Sequence, residues 1–247
     1  MVDNIEFFDL GKMWDVSFPE KHLEFIHHFT EYGPGRVPRM LSRASHIDNI
    51  TNPTIESISE ASQVGAGEWY QVVTEKIQGN YPVTAGLMPW VLKRHWPVIA
   101  IQMMDWFGQA NAPYYFLKKT YEQTHVALDL QRLLWAANER IGLISKIIHS
   151  GVNTFTGKVS VTVYDDNFHP SWNKELNVYI SEGPSVTQAD FGEYQIPAGY
   201  RNRYLFIVTE LKNNAGELIS RSFYYPRSLE QMEDQAFHEK YVNEPVP

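Results

Sequence analysis

The sequence predicts an α/β region followed by an all-β region. Residues 1–124 carry strand and helix signals in the order strand, helix, strand, helix, which is typical of parallel β/α architecture. Residues 125–225 instead contain successive short segments in which apolar and polar residues alternate. About seven such segments in about a hundred residues predict an immunoglobulin-like β-sandwich. Residues 226–247 are charged and predict a tail or a linker to a further domain.

The elements of the first region follow from its apolar spacing and its breakers. An apolar run at residues 23–30 predicts a buried strand, and Gly79, followed by Asn80, predicts the end of a helix. The remaining predicted elements are a helical stretch opening at Pro53, a helix at 67–78, a strand at 85–92, a turn at 105–108 and a helix at 112–121.

The second region is predicted to be all strand and turn. Strict alternation at 158–164 and 176–180 is the clearest signal, because every second side chain can then face a core. Further strands are predicted at 125–130, 133–136, 142–149, 203–209 and 218–225, with turns at 165–167 and 213–216.

Composition excludes several classes of function. The chain has 247 residues, no cysteine and a formal net charge of −8. A general nucleic-acid or anionic-membrane binder needs a basic surface, so neither is expected. Without cysteine, disulfides and thiolate-ligated metal centres are excluded, and nothing predicts a cofactor. The N-terminus lacks the pattern of a signal peptide, which favours a cytoplasmic location.

A carboxylate at the end of the first predicted strand is the leading catalytic candidate. The strand runs into Thr-Glu-Tyr-Gly at residues 30–33, so Glu31 would stand at its carboxyl end. Catalytic carboxylates of a β/α barrel lie at that end of the strands. The alternative is an ordinary strand-end glutamate that faces solvent.

The second predicted strand adds an indole and a basic cluster. It reads Gly-Leu-Met-Pro-Trp-Val-Leu at residues 86–92, and Lys93, Arg94 and His95 follow. Trp90 is either a floor for a sugar ring or a core tryptophan. The basic cluster is either a solvated loop or a site for an acidic or phosphorylated sugar, because an arginine fork matches carboxylate geometry.

Together these motifs resemble glycoside hydrolase family 2, in particular its β-mannosidase, β-galactosidase and β-glucuronidase types. Residues 30–33, with Pro38, resemble the [ST]-E-[FY]-G motif of that family. Residues 86–92 resemble its eighth barrel strand, and Trp96-Pro97 resembles the W-P that often follows. Residues 105–108 and 112–121 resemble its D-x-x-G turn and its last barrel helix. The usual Gln-Leu-Asn-Asp is here Val-Leu-Lys-Arg, at residues 91–94.

The resemblance implies the C-terminal part of a (β/α)8 TIM barrel followed by the sandwich. A complete barrel needs about 250 residues, and only residues 1–124 precede the sandwich. Glu31 would be the nucleophile of a retaining glycosidase, with Trp90, His27 and Arg94 as substrate-binding residues. The family's acid/base glutamate follows an asparagine upstream of the nucleophile. Asn138-Glu139 and Asn243-Glu244 come after it and are expected to be turn residues.

Other histidines and glutamates are weaker candidates for site residues. Neighbouring strand histidines, such as His27 and His28, point to opposite faces and cannot easily share a metal ion, so no metal site is predicted. His27 has the same parity as Glu31 and could line a barrel beside it. Glu60 and Glu68 sit in helical context and are expected to be surface residues.

The sequence therefore predicts a fragment of a retaining exo-β-glycosidase that carries the nucleophile without its acid/base. Its partners would be a carbohydrate substrate and the missing barrel part or a complementing chain, with self-association possible because an incomplete barrel exposes strand edges. The alternative is a non-catalytic carbohydrate-binding or assembly module, whose working part is the sandwich.

Overall fold

The structure of the protein is a computed structural model that describes residues 44, 47, 55–95, 97, 102–165, 167–200 and 204–228. The predicted strand at 23–30, His27 and Glu31 lie outside the described residues. The chain divides into two compact units. In the described residues, the first contains the chain up to Gln71 together with Met88–Lys118, and the second contains Val72–Leu87 and the chain from Lys119 onward. The predicted domain boundary at residue 124 stays a prediction.

Two helices have defined bounds in the described residues, α1 at Ile55–Gln78 and α2 at Ala112–Thr120, and the described residues 44 and 47 are also helical. The stretch from Pro53 and the segment at 67–78 were predicted as separate signals, but α1 runs through both for 24 residues without a break. Gly67 lies within it, where a Cβ would come within 2.5 Å of the Phe116 ring of α2. The glycine therefore costs some helix propensity but permits close contact between the two helices.

The prediction of a strand at 85–92 is not met by a regular strand. The segment has no regular secondary structure, bends at Trp90 and Leu92, and forms no ladder with another described segment. A strand is defined by pairing with a neighbour, and Pro89 also removes one donor. The barrel prediction rests on this segment and on residues outside the described part of the chain, so it remains a prediction.

The second unit is a β-sandwich, as predicted. Its first sheet has the order β1-β3-β6 and its second sheet the order β5-β4-β7-β8, with antiparallel pairing throughout. A short parallel pair, β2 with β9, lies apart from them. The strands are β1 Thr124–Leu128, β2 Leu134–Trp135, β3 Arg140–His149, β4 Phe155–Tyr164, β5 Pro170–Ile180, β6 Ser185–Gln195, β7 Phe206–Asn213, β8 Leu218–Tyr224 and β9 Arg227–Ser228.

The sandwich core follows from the alternation. Strand β4 buries Val159, Val161 and Val163, and its intervening residues stay outside the core. One polar pair is also buried, since the hydroxyls of Ser145 on β3 and Thr209 on β7 lie 2.9 Å apart and satisfy each other. Strand β6 was not predicted because its alternation is carried by few large apolar residues.

The close pairing of β4 with β7 at Gly157 predicts the effect of a substitution there. A Cβ at this position would overlap the backbone oxygen of Lys212 on β7. We expect Gly157→Ala to lower the free energy of unfolding by roughly 1–3 kcal/mol, because the two strands must move apart. Gly142→Ala on β3 is the matched control, since a Cβ there meets nothing within 4 Å. Urea unfolding of both variants measures the difference, and equal stabilities would contradict the packing argument.

Candidate functional site

The structure tests the predicted site only in part. Glu31 and His27 lie outside the described residues, so their assigned roles remain predictions. Trp90 and Arg94 are described, and both belong to the first unit.

Trp90 lies at a bend in a segment without regular secondary structure, and hydrogen bonds hold the backbone of this segment. Its side chain is 66% exposed, which excludes the core-tryptophan alternative. The buried Tyr70 of α1 donates a hydrogen bond from its hydroxyl to the Trp90 carbonyl at 3.0 Å. The backbone amide of Met103 approaches the carbonyls of Val91 and Leu92 at 3.2 and 3.1 Å. The Trp90–Val91 peptide is cis. The hydrogen-bonded backbone thus leaves the indole exposed to solvent.

The basic residues that follow the segment lie against aromatic rings. The Arg94 guanidinium carbon is 5.9 Å from the centre of the Trp90 ring, and the Lys93 ammonium is 5.4 Å from that of Trp106. Arg94 is only 8% exposed, whereas Lys93 is exposed. Cation–π pairs of this kind contribute about 0.5–1 kcal/mol at exposed sites and more when desolvated. Arg94 therefore supports the indole from the protein side.

A short turn and the start of α2 complete this part of the first unit. Asp105 is fully buried, and its carboxylate accepts the Gln109 amide at 2.8 Å, which closes the predicted turn. Gly108 sits there at φ 88°, a conformation that suits glycine. The side chain of Gln63 on α1 accepts the amide of Ala112 at 3.2 Å and so satisfies one of the unpaired donors at the start of α2.

The second unit contains a buried polar network that the sequence did not reveal. The Glu75 carboxylate, near the end of α1, lies 2.8 Å from His125 Nε2 and accepts the Tyr224 hydroxyl at 2.7 Å. The same hydroxyl accepts the backbone amide of Leu128 at 2.9 Å. All three side chains are buried. The end of α1 is therefore bonded to β1 and β8 of the sandwich through one carboxylate.

A second acidic group, at the surface beside this network, pairs with two lysines. Asp129 contacts Lys146 at 2.6 Å and Lys76 at 3.1 Å. Burial by itself would raise the pKa of Asp129, but the hydrogen bonds and charges of the two lysines hold it below its usual value. A small cavity of about 10 Å³, roughly the space of one water molecule, adjoins these residues. It is too small for a sugar ring.

Of the predictions for Glu60, Glu68 and Glu139, two are confirmed and one is wrong. Glu139 accepts the backbone amide of Ala136 and pairs with Arg132, and these contacts lower its pKa. It is a turn residue, as predicted. Glu60 is exposed as expected, but Glu68 is only 6% exposed, so the prediction of a surface position was wrong there. α1 is packed along more of its circumference than a simple amphipathic pattern indicates.

The described residues contain neither a metal-binding cluster nor a membrane-spanning helix. No group of three histidine, aspartate or glutamate side chains suited to a metal ion occurs in the described ranges. Within the same ranges, no helix is both long and apolar enough to cross a membrane.

The buried network predicts a large effect for a small change. Tyr224→Phe removes one hydroxyl, which leaves the buried Leu128 amide without that acceptor and Glu75 without that donor. We expect a loss of roughly 2–3 kcal/mol in the free energy of unfolding. Tyr179→Phe, at an exposed position, serves as the control and should change stability by less than about 0.5 kcal/mol. Urea unfolding measures both, and a Tyr224→Phe protein as stable as the control would contradict the role of the network.

The Asp129 pairing predicts a pH-dependent effect. Because the pKa of Asp129 is lowered by folding, its contribution to stability is present above the carboxylate's ordinary pKa and is lost as pH falls through the folded-state pKa. Asp129→Asn should therefore destabilise the protein at pH 7, by about 0.5–1 kcal/mol for a partly exposed pair. The difference from the parent should shrink towards pH 3. A difference that is the same at both pH values, measured by urea unfolding, would show that the lysine pairing is not its cause.

Comparisons with known proteins identify the fold. No protein-family model matches the chain, and no curated protein matches it by sequence. Solved structures do match. The β-D-mannosidase of Dictyoglomus thermophilum is 20% identical with a TM-score of 0.65, over 86% of this chain and 24% of that one. The exo-chitosanase of Amycolatopsis orientalis is 17% identical with a TM-score of 0.59, over 74% of this chain and 21% of that one.

The matches cover only part of each enzyme. The chain spans about a quarter of the length of the enzymes it resembles. At such identities the likeness concerns the fold, and these neighbours are family 2 glycoside hydrolases. The protein thus has a fold like that of part of a family 2 glycoside hydrolase.

Proposed function

We propose that this chain is the C-terminal part of a retaining exo-β-glycosidase of the family 2 type. The single observation that supports it best is the structural likeness to a β-D-mannosidase, which extends over 86% of the chain. The resemblance of the Glu31 and Trp90 motifs to the family supports it independently. In this proposal Glu31 is the nucleophile, and the acid/base residue belongs to a part of the enzyme that is not in this chain.

The exposed indole supports a role in sugar contact. Trp90 presents its ring to solvent on a segment whose carbonyls are bonded to α1 and to Met103. A flat, apolar ring on a hydrogen-bonded backbone suits stacking against a pyranose ring. Arg94 lies behind the indole, so its part in the proposed site is to support Trp90 and to add positive charge beside the sugar.

The proposed chemistry needs two carboxyl groups about 5–5.5 Å apart. Glu31 would attack the anomeric carbon to form a glycosyl–enzyme bond, while the partner carboxylic acid protonates the leaving oxygen. The partner would then take a proton from water, which attacks the anomeric carbon and releases the sugar from Glu31. A chain that supplies only one of the two groups cannot complete this cycle.

We therefore expect no turnover of aryl β-mannoside, β-galactoside or β-glucuronide by this chain alone. The assay is release of the chromophore at high protein concentration, with Glu31→Gln as the control. Robust hydrolysis that is lost in Glu31→Gln would show that the chain is a complete enzyme and would contradict the fragment proposal. The missing barrel part, or a complementing chain, is the proposed partner that restores activity.

Binding of a glycoside separates this proposal from its alternative. If the first unit contacts the sugar, Trp90→Ala should weaken binding of p-nitrophenyl β-D-mannoside about tenfold, equivalent to about 1.4 kcal/mol. Phe168→Ala, at an exposed aromatic of the sandwich, should leave it unchanged. Isothermal titration calorimetry measures both. The reverse pattern would favour the carbohydrate-binding module, with the sandwich as its working part.

A further inference from the structure

The turn at residues 105–108 carries a second exposed indole. Trp106 is 38% exposed and its neighbour Phe107 45%, although Asp105 at the start of the same turn is fully buried. The bond from the Gln109 amide to the Asp105 carboxylate closes the turn. Because tryptophan is highly buried on average, an exposed tryptophan on a hydrogen-bonded turn is a candidate for contact with a ligand.

Backbone hydrogen bonds join this turn to the segment of Trp90. The Leu92 carbonyl accepts the amides of Met103 and Met104 at 3.1 and 2.9 Å. Trp90 lies two residues before Leu92, and Trp106 lies two residues after Met104. Each indole is therefore separated from this junction by at most about 7 Å of chain, so both are within reach of a ligand that contains a few sugar rings.

The basic residues after Leu92 connect the two indoles through their side chains. The Lys93 ammonium lies 5.4 Å from the centre of the Trp106 ring, and the Arg94 guanidinium lies 5.9 Å from that of Trp90. Consecutive residues thus place one cation on each indole, and attraction to the ring face favours this orientation of each ring. The two indoles and Lys93, which is also exposed, lie in one region of the first unit.

The chemistry of this region suits a carbohydrate. Ligand sites combine apolar and aromatic side chains with a few polar groups that fix orientation. The indoles of Trp90 and Trp106 supply flat apolar area for the faces of sugar rings. The Lys93 ammonium supplies hydrogen-bond donors for sugar hydroxyls. The proposed function already places a sugar on Trp90, and the surface around Trp106 continues from that contact.

We propose that Trp106 is a second sugar-contact residue and that the substrate is an oligosaccharide. Trp90 contacts the terminal sugar, and Trp106 contacts a sugar on the leaving-group side of the bond that is cleaved. This inference rests on the proposed function, since it assigns a substrate class to the same site. A second copy of the chain and a separate protein are the competing occupants of the surface around Trp106.

Two ligands separate the two contacts. Methyl β-D-mannoside offers one sugar ring, whereas β-1,4-linked mannotriose offers three. The dissociation constant of each for the full chain is measured by NMR titration. We expect Trp106→Ala to weaken binding of mannotriose roughly fivefold and to change binding of methyl β-D-mannoside by less than about twofold. Trp90→Ala should weaken binding of both ligands. Tyr115→Ala, at an exposed aromatic on α2 of the same unit, is the matched control and should change neither.

The indole N–H signals give a second readout that does not depend on a loss of affinity. Trp90→Phe and Trp106→Phe identify the signals of these two residues, because each variant lacks one of them. In the parent chain, the Trp90 signal should shift with both ligands. The Trp106 signal should shift with mannotriose and stay in place with methyl β-D-mannoside.

The outcomes distinguish this inference from the proposed function. If Trp106→Ala weakens both ligands equally or neither, the inference is overturned, and the proposed function stands as long as Trp90→Ala weakens both. If Trp90→Ala affects neither ligand, or the parent chain binds neither, the sugar contact of the proposed function fails and this inference fails with it. A parent dimer in light scattering that becomes a monomer in Trp106→Ala would show that a second copy occupies the surface, and it would also overturn the inference.

Discussion

The buried carboxylate of Glu75 is the interaction on which the second unit depends most. It binds His125 on β1 and Tyr224 on β8, which lie in different sheets of the sandwich. Ser220 on β8 likewise accepts the amide of Val126 at 3.1 Å. Side chains of β8 therefore satisfy amides of β1 that no backbone ladder reaches. Since an unpaired buried amide costs about 1–3 kcal/mol, these few side chains close the edge of the sandwich against the end of α1.

The described part of the first unit differs from this, because it leaves large apolar side chains, such as Trp90, exposed to solvent. Tyr70 and Met103 are buried and bind the carbonyls of residues 90–92. The side chains of Trp90 and Leu92 are nevertheless exposed. Such an arrangement is costly in an isolated unit because apolar surface stays in water. A sugar stacked on Trp90 would cover part of this apolar surface, as the proposed function requires.

Sequence patterns predicted the sandwich well because its signal is local. The alternation on β4 and β5 needs only a period of two, and the observed strands extend the predicted ones at their ends. The helix α2 was predicted within one residue for the same reason. Strand β6 was not predicted because it contains few large apolar residues. The burial of Glu68 was not predicted because tertiary packing overrides the preference of a charged side chain for the surface.

The amino-acid sequence by itself determined the all-β character of residues 125–225, the position of α2 and the exclusion of cysteine chemistry. It also identified Trp90 and Glu31 as the residues to examine. Only the tertiary structure decided that Trp90 is exposed, that Arg94 lies behind its ring, and that Glu75 joins His125 and Tyr224. Glu75 and Tyr224 are 149 positions apart in the chain. Periodicity describes one segment at a time, whereas a buried hydrogen bond between distant segments depends on how they pack.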